Sequence, residues 1–237
     1  MTALRILSGG AAQGLVARLA PRFKQLTGLD IEGEFGAVGT MAEKLEAGTA
    51  ADLVLLTEAV MTDLVRKGLV VGDTATAIGV VETAIAVRAG DPRPTIGDAA
   101  SLRQALLAAE AIFVPDTLAS TAGIHVAAML DRLGIASEVA SRLKIFPNGA
   151  TAMRHLAASD AATAIGCTQA TEILNTPGVM LCGALPPGCG LKTMYSAGVT
   201  SQSQQVESAK QLIALLIAPD HAELRERAGF LGLTNLG

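Results

Sequence analysis

Arg5-Ile6-Leu7-Ser8-Gly9-Gly10-Ala11-Ala12 opens the stretch that decides the fold. It continues through an amphipathic segment to Gln25 and Thr27-Gly28, then runs Ile31-Glu32-Gly33-Glu34-Phe35-Gly36-Ala37-Val38-Gly39-Thr40. Apolar residues at Leu15, Val16, Leu19, Ala20, Phe23 and Leu26 recur at helical spacing, so Ala12–Leu26 reads as a helix closed by Thr27-Gly28. Leu4–Leu7 and Ile31–Phe35 read as strands. A second helical run ends at Glu46-Ala47-Gly48, and the apolar Asp52–Leu56 reads as a central strand. Thr57 then precedes a helix that Gly68 ends. Two strand-to-helix turns are thus built from small residues, which leave backbone N–H groups free to hold an anion.

Working outward, the alternation of strand and helix continues. Thr83–Arg88, Ala111–Val114, Lys144–Phe146, Ala162–Cys167, Val179–Leu185 and Leu191–Val199 read as strands, with helical segments between them and at Glu207–Ala218 and Ala222–Ala228. Such βα units favour right-handed crossovers and a parallel sheet with helices on both faces. The expected class is α/β in two lobes. Residues 1–82 with 196–237 form a discontinuous first lobe and 83–195 the second, with hinge crossings near 80–84 and 193–198. Ligands of such folds sit outside the carboxyl ends of the strands, here in an interlobe cleft.

Composition narrows the partners. The chain has 237 residues, half of them hydrophobic, one tyrosine, no tryptophan and a formal charge of −4. Scarce aromatics argue against stacked single-stranded nucleic acid, and the lack of a basic cluster argues against duplex. No apolar run is long enough to span a membrane. Cys167, Cys182 and Cys189 show no metal-ligand spacing with His125, His155 and His221, so neither a metal nor another cofactor is expected. An odd cysteine count suits a reducing compartment, although a Cys182–Cys189 disulfide is the alternative. The first 25 residues lack a signal-peptide pattern, which gives a cytoplasmic expectation, the alternative being a periplasmic protein whose signal has been removed.

Four small-residue turns carry the candidate site. The first is Ser8, Gly9, Gly10 and Ala11. The second includes Val38, Gly39 and Thr40. The third is Ser120, Thr121 and Ala122 ahead of an apolar helix, and the fourth Asn148, Gly149 and Thr151. Thr57 closes the third strand, and Cys167 and Thr168 close another, with Gln169 beside them as a further donor to a carboxylate. Each has an alternative reading as a tight turn or a helix cap. Glu172, one helical turn after Thr168, is a candidate general base; otherwise the catalytic residues are unknown.

The order of these turns, with Glu46-Ala47-Gly48, Ala51-Asp52, Leu185-Pro186 before Tyr195, Ala218-Pro219 and Gly229-Phe230, resembles type II periplasmic solute-binding proteins. The molybdate-binding family of ABC transporters is the nearest likeness. The resemblance implies a two-lobed fold, hinge closure on a small anionic ligand, a Tyr195 hydroxyl donated to that ligand, and delivery to an ABC permease if the protein is exported. That family places serines at the positions matching Ala11 and Val38 or Gly39. Two lost hydroxyls would weaken molybdate binding by roughly 100-fold. A short carboxylate is therefore an equal candidate. The resemblance also extends to isomerases of small polycarboxylates such as aconitate, which leaves open whether the protein is an enzyme.

Overall fold

The computed structural model describes residues 3–233. The chain forms two compact units, one holding residues up to Val81 and from Thr193 onward, the other Glu82–Lys192. Both are mixed α/β.

The first unit opens with β1 (Leu4–Gly9), α1 (Gln13–Thr27), β2 (Ile31–Gly36), α2 (Val38–Glu46), β3 (Leu53–Thr57) and α3 (Glu58–Arg66). β1 pairs in parallel with both β2 and β3, as short βα turns demand. Leu4, Ile6, Leu53, Leu55 and Leu56 are fully buried, and Leu15, Leu19 and Phe23 of α1 join their core. Gly28 stops α1 with φ 74°, its N–H bonding to the Lys24 carbonyl. The buried Asp52 carboxylate accepts from the Arg5 N–H at 2.9 Å and the Ser203 hydroxyl at 3.1 Å, tying the entrance of β3 to β1.

β4 (Thr76–Arg88) carries the chain into the second unit. The sequence pattern marks this strand only from Thr83, whereas it starts at Thr76. Gly79 hid the start, and it is needed there: a Cβ would lie 2.8 Å from the Leu231 carbonyl, where Val80 and Leu231 bridge. The second unit continues with α4 (Ala99–Ala108), β5 (Ala111–Pro115), α5 (Thr121–Arg132), α6 (Ala136–Val139), β6 (Leu143–Phe146), α7 (Gly149–Ala157), β7 (Ala164–Gln169), α8 (Ala170–Leu174) and β8 (Val179–Ala184). β5 is parallel to β6 and β7, while β4 runs antiparallel to β7 and β8. β9 (Lys192–Val199) returns the chain to the first unit, antiparallel to β3, followed by α9 (Val206–Ile217) and α10 (Ala222–Arg227).

The two faces of the second sheet bury different side chains. Ile85, Ile112, Val114, Ile165 and Cys167 pack with Val126 and Met129 of α5. Ala84, Ala86, Phe113 and Ala164 pack with Ala152, Met153 and Leu156 of α7. This is the period-two alternation of a sheet covered on both sides. Cys167, Cys182 and Cys189 are all free thiols, so the Cys182–Cys189 alternative does not hold.

Candidate functional site

In the first unit three separate segments meet at Gly9. A Cβ there would lie 3.0 Å from Val38 Cγ2 and 3.1 Å from Tyr195 Cε1, so the end of β1, the start of α2 and β9 approach closely enough that any larger residue would make those side chains give way. Tyr195 is buried, sits opposite Thr57 in the β3–β9 register, and meets Phe230 edge-on. Ser8 is fully buried and its hydroxyl donates to the Gly9 carbonyl at 3.0 Å. Gly10 and Ala11 form a 3-10 turn that leads into α1. Gly39 and Thr40 lie in the first turn of α2, whose N-cap is Ala37. Neither α2 nor α3, with Thr57 as N-cap, has a side-chain cap, so both starts keep backbone donors that no side chain satisfies.

In the second unit the two sheet faces end differently. On the α7 side the helix start is closed from within. Asn148 caps the helix, its Oδ1 accepting from the Thr151 N–H at 2.9 Å. The Glu172 carboxylate accepts from the Thr168 hydroxyl at 2.6 Å and from the backbone N–H groups of Ala150, Gln169 and Gly149. Glu172 is buried, and its burial raises the carboxyl above the usual range, with those donors working the other way. Thr151 is further engaged by Arg154 Nη2 at 2.8 Å.

On the α5 side the helix start is open. Ser120 is the N-cap residue but makes no side-chain cap, and Thr121 and the buried Ala122 follow. The chain does use caps elsewhere: Asp98 and Ser101 form a complete capping box at α4. The Asp116 carboxylate holds the approach to α5 in shape, accepting from the N–H groups of Leu118 at 2.7 Å and Ala119 at 2.9 Å. Backbone alternation puts Gln169 and Thr83 on this same face, as Cys167 and Ile85 are. Both amide atoms of Gln169 and the Thr83 hydroxyl are buried without a hydrogen-bond partner.

The candidate residues thus gather at the carboxyl ends of the parallel strands within each unit: Ser8, Gly9, Val38, Thr57 and Tyr195 in one, Ser120, Thr121, Cys167 and Thr168 in the other. Cys167 lies in the core with its thiol pushed up to about 12 by burial, the reverse of an activated nucleophile. His125 Nε2 is engaged by the Cys189 carbonyl at 2.7 Å. Thr83 escaped the sequence reading because a threonine in an apolar strand reads as an ordinary β-former.

The family described as bacterial extracellular solute-binding protein matches residues 4–231. An aconitate isomerase of a Pseudomonas species is 27% identical over 240 residues, spanning 97% of this chain and 87% of that protein. The molybdate-binding protein ModA of Escherichia coli K12 is 21% identical over 229 residues, spanning 96% and 88%. The periplasmic molybdate-binding protein of Azotobacter vinelandii superimposes with a TM-score of 0.79 at 16% identity, covering 96% of this chain and 98% of that one. At that identity the likeness speaks for the fold alone.

Proposed function

The chain belongs to the bacterial extracellular solute-binding protein family, and from that premise we propose that it binds a small anion, an oxyanion or short carboxylate, at the carboxyl ends of its parallel strands. The observation that carries this reading is the position of the starts of α2, α3 and α5, which directly follow β2, β3 and β5 and, like every described α-helix except α4 and α7, have no side-chain cap. The donors assigned are the backbone N–H groups around Gly9, Val38, Gly39 and Ser120, with the hydroxyls of Ser8, Thr40, Thr57, Ser120, Thr121 and Tyr195. Asn148, Gly149, Thr151 and Thr168 are engaged inside their own unit and support the site rather than line it.

The family's description as extracellular supports the periplasmic alternative over the cytoplasmic expectation, with an ABC permease as the receiving partner.

A second reading, isomerisation of a small polycarboxylate, is favoured by the 27% identity to an aconitate isomerase. It needs a base beside the bound carbon acid. Glu172 is buried among its donors and Asp116 is held by two N–H groups, so binding without chemistry is the better supported reading.

The test is a thermal-shift screen with molybdate, tungstate, sulfate, phosphate, citrate and both aconitates. A ligand that binds only the folded protein raises Tm. A shift with molybdate or tungstate would support oxyanion transport. A shift confined to polycarboxylates would direct the next assay to their isomerisation.

A further inference from the structure

Resting on the anion-binding reading, we infer that Gln169 and Thr83 select anions that carry an O–H hydrogen of their own, such as a hydroxycarboxylate or hydrogenphosphate, over anions made only of acceptors. The two residues are direct partners in the antiparallel β4–β7 register and share one face. Gln169 is 3% exposed and Thr83 fully buried. The amide nitrogen and oxygen of Gln169 and the hydroxyl of Thr83 all lack partners, and the two side chains do not bond to each other. Buried polar groups are nearly always satisfied, so several orphaned atoms on one face call for an absent partner.

The donor set says what that partner offers. A carboxamide presents an N–H₂ donor and a C=O acceptor side by side, and a threonine hydroxyl is both at once. Molybdate or sulfate, which only accept at neutral pH, would satisfy the N–H₂ group and leave the Gln169 carbonyl oxygen facing a like partial charge. An anion with a hydroxyl satisfies both ends of the amide: the N–H₂ group donates to the anionic oxygen and the carbonyl accepts the ligand's hydrogen. Gln169 is also fixed in place, since its backbone N–H is one of the Glu172 donors. A site built around a ligand hydroxyl penalises the analogue lacking it, because the site's own polar atoms are then left unpaired.

Three matched pairs test this by calorimetric titration at pH 7.5: malate against succinate, citrate against tricarballylate, and phosphate against sulfate. The members differ in the hydroxyl hydrogen, and the third pair separates a phosphate source from a carboxylate one. At least one hydroxyl-bearing member is expected to bind about tenfold or more tighter than its partner. Gln169→Met, which keeps the length and removes both polar atoms, abolishes that preference, and Thr83→Val reduces it. Both variants, without ligand, melt no lower than the parent, because each removes an unpaired buried group; a merely structural role would lower Tm. Equal affinities within every pair, or a preference that survives Gln169→Met, would overturn the inference while leaving anion binding intact. Binding of none of the six, molybdate included as a seventh probe, would overturn the anion-binding reading itself.

Discussion

The Glu172 carboxylate lies directly over the α-carbon of Gly149, in the space a side chain on that residue would fill. The start of α7 is therefore closed by an acid from α8: Asn148, Gly149, Ala150 and Thr168 all spend their polarity on the unit itself. A methyl group at Gly149 would collide with both the Glu172 carboxylate and the Thr168 hydroxyl. Gly149→Ala is expected to destabilise the protein by about 1–3 kcal/mol, read as a Tm lower by roughly 2–10 °C. An unchanged Tm would show that the carboxylate is not held there.

Glu172 also gives the protein a pH signature. Burial raises its carboxyl above the usual carboxylate range in the folded state. Folding therefore takes up protons, and the stability this group contributes is full below about pH 4.5 and falls as pH rises through the folded value. Tm measured from pH 4 to 8 for the parent and for Glu172→Gln should show the parent losing ground relative to the variant as pH rises. A constant difference across that range would contradict the assignment.

Gly9 is expected to matter for the ligand more than for the fold. Its neighbours Val38 and Tyr195 would have to yield a few tenths of an ångström to a Cβ. Gly9→Ala should weaken anion binding by about tenfold, the equivalent of 1.4 kcal/mol, with a smaller effect on Tm. Titration of the best ligand from the anion screen against both proteins measures this.

Ala11 and Val38 are buried at positions where the resemblance to molybdate-binding proteins implies serine, the second being Val38 or Gly39. Restoring a hydroxyl by Ala11→Ser or Val38→Ser should raise molybdate affinity by about tenfold each, on the 1–3 kcal/mol scale of a hydrogen bond to a buried anion. No gain in either variant would mean that these positions do not face the ligand.

Much of the fold was legible in the sequence because local signals agreed. The apolar spacing of Leu15, Val16, Leu19 and Phe23, the stop at Gly28 and the run Leu53–Leu56 each point to the element they form. The start of β4 was not, since Gly79 answers to a close approach of Leu231, far away in sequence. The small-residue turns were legible as turns, but not what occupies them. Nothing local says that Glu172 closes the start of α7 while Ser120 leaves α5 open; that depends on which strands become neighbours. Likewise Thr83 and Gln169 are 86 positions apart, and only the β4–β7 pairing brings them side by side.

The central claim is that the open helix starts hold a small anion. Calorimetric titration of the purified protein with citrate, cis-aconitate, phosphate, sulfate and molybdate, repeated on a Ser120→Ala, Thr121→Val double variant, tests it most directly. The account predicts saturable one-to-one binding of at least one of these anions, weakened about tenfold or more in the variant. No heat from any of them, or binding that the variant leaves unchanged, would contradict it.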